Sequence, residues 1–365
     1  MKKPARLVSL DAFRGLTMAG MVIVNNPGDW GHVYPPLLHA TWNGCTPTDL
    51  IFPFFLFIVG VSITLSRGTM GHPWSIVKRA IVIFGLGMVL ALYPKWDVSV
   101  VRIPGVLQRI ALCYLAAAFL FRWTAPKGGN DDSRRWAHGT TLLLWAVALT
   151  LGYWGVMALV PAPGGVAGDL TPDGNLGAYI DRAVFGPHLW VQSKTWDPEG
   201  LLSTVPAIAT TLLGGVAGVW LGSRASGGRK ALWMTGAGLL AMGIGLMWSL
   251  VFPLNKALWT SSYVWFTVGA AAVFLALCYT LIDVKGWKAW SRPFVILGLN
   301  AIALFVLSGL MTKFLSFHKV TGPDGSPISC SDTSTPRGSC RSPSLSMPPC
   351  SSPWPISPCC SSCCG

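Results

Sequence analysis

Apolar runs of about 20 residues, each long enough to cross the hydrocarbon layer of a bilayer as a helix, recur along most of this chain. They occupy 10–26, 47–66, 75–93, 103–122, 139–160, 200–222, 231–252, 260–283 and 292–317. Lipid offers no partner to an open backbone, so such a run folds as a helix that satisfies its own N–H and C=O groups. The expected fold class is therefore all-α: a polytopic transmembrane helix bundle of about nine spans. Charged residues make up 11% of the 365 residues, against roughly 25% in soluble domains, which excludes a soluble globular protein. Disordered, collagen-like and coiled-coil chains need high charge, a glycine period or a heptad, and none is present.

The net charge of +13 would raise the question of nucleic acid in a soluble domain. Here its placement matters more, and no nucleic-acid partner is expected; the partner implied is the bilayer. Lys2, Lys3, Arg6, Arg67, Lys78, Arg79, Arg122, Lys127, Arg134, Arg135, Arg224, Arg229, Lys230, Lys285, Lys288 and Arg292 fall on one set of alternate connections. The other set holds only Lys95, Arg102, Arg182, Lys194 and Lys256. Positive charge marks the cytoplasmic side, so the N-terminus is expected in the cytoplasm, with loops 27–46, 94–102, 161–199 and 253–259 outside. The basic start followed by apolar residues has no small-residue cleavage site, and Asp11 and Arg14 interrupt it, so an uncleaved first helix is expected rather than a signal peptide.

Charged groups inside spans are costly and point to function. Asp11 and Arg14 share a helical face: either they pair at the cytoplasmic edge, or Arg14 faces an anionic ligand arriving from the cytosol. Gln108 and Arg109 lie about 9 Å below the outer end of span four at 1.5 Å per residue, so Arg109 needs an internal partner, a carboxylate such as Asp49 or a ligand. Asn300 is expected to be buried in span nine.

The densest polar cluster runs from Asn25 to Asp49 at the outer mouth, NNPGDWGHVYPPLLHATWNGCTPTD, without one Lys or Arg. His39 has the side chain that exchanges protons near neutral pH, Asp49 could orient it as the third member of a triad does, and Asn25 could donate to an oxyanion. An interfacial loop with tryptophans and a metal site from His32, His39 and an aspartate are the alternatives; no metal is expected. The long connection 161–199, with Asp169, Asp173, Asp181, Asp197 and Glu199, reads either as a folded lid or acceptor-binding segment or as a solvated acidic loop. Residues 1–317 form the expected membrane domain. The stretch 318–365 is expected to be a disordered or frame-shifted tail: from Cys330 onward, 25 of 36 residues are Ser, Pro or Cys, and the change of composition suggests a shift of reading frame near Ser329.

Seven ordered segments resemble one known family: RLVSLDAFRGLTMAGMVIVNN at 6–26, LLHATWNGCTPTDLIFPFFLFIVGVSI at 37–63, IPGVLQRIALCY at 103–114, DPEGLLSTVPAI at 197–208, FPLNKALWTSSYV at 252–264, DVKGW at 283–287 and GLNAIALFVLSG at 298–309. They are similar to the heparan-alpha-glucosaminide N-acetyltransferase family and its bacterial NagX-like relatives. The resemblance implies an acyltransferase that uses acetyl-CoA as co-substrate and delivers the acetyl group to the amine of a terminal glucosamine outside. It puts the active histidine on His39, the aspartate of the next span on Asp49 and the asparagine after span one on Asn25, with Asn26 as a competing alignment. It assigns coenzyme binding to Gln108 and Arg109, alongside the Arg14 inferred above, and an amino-sugar or saccharide acceptor to Asp197 and Glu199. Acetyl-histidine formation and direct transfer both fit, and a homodimer is compatible. The resemblance further implies a last span after residue 317, replaced here by the tail, and a bacterial inner-membrane form. An O-acyltransferase of envelope polysaccharide and a transporter of amino sugars or small anions are the rival readings.

Overall fold

The structure is a computed structural model that describes residues 7–26, 32–66, 72–125, 132–317, 319–321 and 327–329. The basic residues Lys2, Lys3, Arg6, Arg67 and Lys127 and the Ser/Pro/Cys stretch from Cys330 onward lie outside the described residues. Eleven helices account for about two thirds of the described residues: α1 (Val8–Asn25), α2 (Ile51–Leu65), α3 (Pro73–Leu92), α4 (Val106–Thr124), α5 (Asp132–Leu159), α6 (Leu176–Phe185), α7 (Thr204–Leu221), α8 (Gly227–Trp248), α9 (Ser261–Tyr279), α10 (Arg292–Leu299) and α11 (Ala301–Phe317). Two three-residue strands, β1 (Lys319–Thr321) and β2 (Pro327–Ser329), pair antiparallel after α11.

Each of the nine apolar runs contains helix, but they are not nine straight spans. Among the described residues, seven helices are long and apolar enough to cross a membrane, or up to eight with α10 and α11 taken as one broken span. Two departures account for the difference. Asp11, Arg14 and Asn25 dilute α1, which is not among the seven. The run 292–317 breaks by 80° between α10 and α11. Asn300, expected to be buried, sits exposed at that break, and its side-chain amide donates to Ile296 O in its own turn (3.2 Å).

Helices in lipid gain little from mutual apolar burial, so close approach at small residues decides which pairs form. A Cβ on Gly60 of α2 would fall 1.8 Å from Thr211 O, and one on Gly214 of α7 would fall 2.1 Å from Phe57 O, so these two backbones touch. Gly15 and Gly298 do the same for α1 and α10: their Cβ positions would lie 1.7 Å from Phe294 O and 2.0 Å from Asp11 O. Around these contacts Phe13, Leu56, Phe57, Trp259 and Tyr263 form a core that is nearly fully buried. Leu144, Leu232, Leu239, Leu240 and Met247 stand outward and exposed, as lipid-facing positions require.

The start of α1 is closed by a residue far away in sequence. Asp283, in the π-helical turn Thr280–Val284 that continues α9, accepts from Ser9 N (3.1 Å). A carboxylate there satisfies an orphan donor and complements the positive helix end, which gives the aspartate of DVKGW a structural task.

The connection 161–199 is folded around α6, with Asn175 accepting from Ala178 N (2.8 Å) at its start. Asp181 on α6 is buried and accepts from Leu201 N (2.9 Å). Burial pushes its carboxyl up to about 6, with Asp197 adding to the effect and the Leu201 N–H opposing it. A folded-state value above the ordinary one of about 4 means that the folded chain protonates first as pH falls. The associated stability is complete below about pH 4 and is lost as pH rises through about 6. Asp181→Asn keeps the acceptor and removes the charge, so the variant is expected to gain on the order of 2–3 kcal/mol at pH 7 and nothing at pH 4. Unfolding midpoints of both proteins between pH 4 and 8 check this, and parallel profiles would contradict it.

Candidate acyl-transfer site

The local fold around residues 38–49 is dictated by one carboxylate. Asp49 is 1% exposed, and its Oδ2 accepts from Ala40 N (3.1 Å), Thr46 N (3.0 Å) and Thr46 Oγ1 (3.0 Å). The TPTD sequence thereby makes a capping turn before α2. Its Oδ1 faces His39 Nδ1 at 2.7 Å and Lys256 Nζ at 3.3 Å. Five donors converge on two oxygens, an arrangement that suits a carboxylate and would leave an acid proton facing other donors. Tyr263 Oη donates to the Asp49 carbonyl (2.6 Å) and fixes the backbone beneath it.

Lys256 arrives from a connection more than 200 residues away. Gly44 N donates to Leu254 O (2.7 Å), Asn255 Nδ2 donates to Asn43 Oδ1 (3.1 Å), and the two asparagines form a bridge. Gly44 adopts φ of +120° there, a region L side chains rarely enter, so WNG needs its glycine. The clasp sets Lys256 Nζ 3.0 Å from His39 Nδ1 and 3.5 Å from Nε2. Burial pulls the Lys256 ammonium below its ordinary value, and Asp49 and Glu199 pull the other way. Burial also pushes the nearby Cys45 thiol up to about 12, helped by Asp49, so Cys45 is a poor nucleophile.

His39, with a half-exposed side chain, opens onto a cavity of about 910 Å³. At this mouth the cavity is lined by Asn25, Trp42, Trp190, Trp196, Glu199 and Lys256. Its middle is apolar, with Met18, Phe55, Ile58 and Ile110. Its other end carries Arg14, Ser62, Arg79 and Tyr114. Arg14 Nη2 donates to Ser62 Oγ (2.8 Å), its Nη1 lies 3.4 Å from Asp11 Oδ1 and from Gly298 O, and Arg79 lies over the Tyr114 ring at 5.2 Å. Arg14 and Asn25 are eleven residues apart on α1, or about 16 Å at 1.5 Å per residue, so the cavity runs through much of the bundle's depth.

Of the two asparagines after span one, Asn25 lines the cavity, whereas Asn26 donates to Val22 O and accepts from Thr312 of α11 (2.5 Å). Gln108 and Arg109 do not line it. Gln108 turns toward Met88 (3.6 Å), and Arg109, 1% exposed, donates to Gly200 O (3.1 Å) and Ser203 Oγ beneath the Trp259 ring (5.1 Å to the centroid). Its partners are thus a backbone carbonyl, a hydroxyl and a ring face rather than Asp49. Asp197 lies behind the wall, taken up by Arg102 through Nε (2.8 Å) and Nη2 (2.5 Å), while Glu199 pairs with the same arginine and reaches the cavity. Burial works against the Arg102 charge, but Glu199 and Asp197 outweigh it and hold the guanidinium above its ordinary value.

Two residues that sequence reasoning passed over therefore stand at the mouth. Lys256 and Arg102 had been counted only as outer-loop charges; the signal for Lys256 was its place inside FPLNKALW, beside the asparagine that clasps WNG. Among the described residues no group of three His, Cys, Asp or Glu comes together to hold a metal.

Residues 6–129 match the profile described as heparan-alpha-glucosaminide N-acetyltransferase, catalytic. The human protein named heparan-alpha-glucosaminide N-acetyltransferase is 32% identical over 373 aligned positions, covering 86% of this chain and 54% of its own length. The mouse protein of that name is 31% identical, covering 86% of this chain and 55% of its own. The chain spans about half the length of the curated relatives it matches. The profile match takes in Arg14, His39, Asp49, Arg79 and Tyr114, which line one cavity, and over 86% of its length the chain is similar to proteins named heparan-alpha-glucosaminide N-acetyltransferase.

Proposed function

We propose that this protein is a membrane-embedded N-acetyltransferase that moves an acetyl group from acetyl-CoA on the cytoplasmic side to the amine of a glucosamine-containing saccharide on the outer side. The observation that carries this reading is the single cavity joining Arg14 and Arg79 at one end to His39 and Asp49 at the other. Cytoplasmic assignment of the Arg79 end follows the excess of Lys and Arg on its connections, and a bacterial inner membrane is the setting we infer. The relatives' name supplies the acceptor class.

The residues present fit such a donor. Arg14 and Arg79, with the hydroxyls of Ser62 and Tyr114, offer charge-assisted donors to phosphates, and the apolar middle suits a slender thioester arm. Gln108 and Arg109, off the cavity, serve this reading by shaping its wall and the Gly200–Ser203 turn. Bound acetyl-CoA supplies an activated acetyl group. Asp49, through Nδ1 of His39, leaves Nε2 as the basic nitrogen. In direct transfer Nε2 takes the proton of the amine as it attacks the thioester carbon and returns it to the sulfur as the C–S bond breaks and CoA leaves as the thiol. In the covalent route Nε2 attacks the thioester carbon, CoA leaves as the thiol, and the amine then displaces Nε2 from the acetyl group, giving up its proton to the imidazole. Asn25 donates to the carbonyl oxygen as charge develops there. Glu199 and the three tryptophans receive the sugar, with Asp197 holding Arg102 and hence Glu199 in place.

The test is transfer from radiolabelled acetyl-CoA to glucosamine in sealed vesicles. Transfer with donor and acceptor on opposite sides, absent when both are on either single side, is the expected result. O-acetylation of N-acetylglucosamine with the amine substrate untouched would overturn the acceptor. One observation favours a transporter, the break at Asn300 on the cavity wall, since broken helices line many transport sites. Uptake of labelled glucosamine without acetyl-CoA would establish that alternative.

A further inference from the structure

We propose that Lys256 is a positioning residue for His39, a fixed counter-charge to Asp49 that keeps the imidazole an unprotonated base while Asp49 holds its tautomer. The proposal rests on the reading that His39 performs the transfer chemistry. An aspartate alone beside a histidine favours the imidazolium, because an opposite charge within about 4–6 Å stabilises the charged form, and an imidazolium has no lone pair for an amine proton or an acetyl group. At this site the carboxylate is shared. Nδ1 of His39 at 2.7 Å and Nζ of Lys256 at 3.3 Å meet the same Oδ1, the other oxygen being taken up by Ala40 and Thr46.

The ammonium, 3.0 Å from Nδ1, repels a second proton on the ring, and it has nowhere else to go. Asn255 beside it is fully buried and tied to Asn43. The charged and titratable groups facing Lys256 are Asp49, His39, Cys45 and Glu199. Glu199 is already joined to Arg102, and Cys45 holds its proton. Its ammonium is thus the single cation in contact with the His39–Asp49 pair among the described residues.

The experiment compares the full chain with Lys256→Met, Lys256→Gln and Lys256→Arg in proteoliposomes, each checked for a monodisperse elution profile. Two quantities are followed from pH 5 to 9: kcat for acetyl transfer, and the rate at which diethyl pyrocarbonate modifies His39, read by peptide mass. In the Met and Gln variants the acid limb of both profiles should move up by about one unit or more, with roughly tenfold less rate at pH 6 and recovery by pH 8; Arg should restore the limb. Loss of rate at every pH with an unmoved limb would make Lys256 merely structural and overturn the proposal, as would Met and Arg variants behaving alike. If the unaltered chain transfers no acetyl group yet the modification limb still moves, the functional reading fails and the Lys256–His39 coupling stands.

Discussion

Replacing His39 by alanine is expected to lower acetyl transfer by at least about 10³-fold, because a positioned base contributes roughly 10²–10⁴ on its own and loss of a nucleophile removes the covalent route entirely. The side chain is half exposed and bonds to Asp49 from the loop before α2, so membrane insertion and thermal stability should stay near those of the parent. Asp49→Asn is the informative companion. An amide cannot accept from all five donors, and it presents an N–H to one of them, so it should lose both stability and rate. Turnover of the folded alanine variant within tenfold of the parent would remove His39 from the mechanism.

The largest effect on folding is expected at Arg102. Its guanidinium pairs with Asp197 through two nitrogens, with Glu199, and lies 5.9 Å from the Trp190 ring centroid. The Asp197 side chain has no solvent exposure. Arg102→Leu leaves that carboxylate buried without its cation, a situation that costs about 3–5 kcal/mol. Removing both charges with Asp197→Asn should recover most of it, since the penalty lies in the orphaned partner rather than in the lost pair. Thermal unfolding in detergent distinguishes the cases: equal midpoints for the single and double variants would mean that the pair does not hold the 190–203 segment.

The helical bundle was legible because run length alone distinguishes a helix from a strand in lipid. The bend at Asn300 was not, since no proline stands there to announce it. Just before the bend Gly298 meets the backbone of α1 at Asp11, a long-range contact that no local pattern announces. The pairing of His39 with Asp49 was readable because ten residues and one loop separate them. Lys256 joins them from 217 residues beyond His39, through a bridge between two asparagines that no local pattern encodes. Depth in the membrane correctly showed that Arg109 needs an internal partner. It could not show that a backbone carbonyl at Gly200, a serine and an indole face would supply one in place of a carboxylate. Likewise, Asp197 and Glu199 are two residues apart in one motif, yet the first is consumed by Arg102 and only the second reaches the cavity.

The bridge between Asn43 and Asn255 also orders events in time. A nascent chain that has threaded its first seven helices already carries His39 and Asp49, but neither the lysine beside them nor the strut that holds the loop. The constellation is completed only when the connection before α9 emerges on the same side and closes over the loop laid down near the start of synthesis. On the proposed reading, a polypeptide whose later helices inserted with the opposite orientation would present Lys256 to the other compartment, and the bridge from Asn255 to Asn43 could not form.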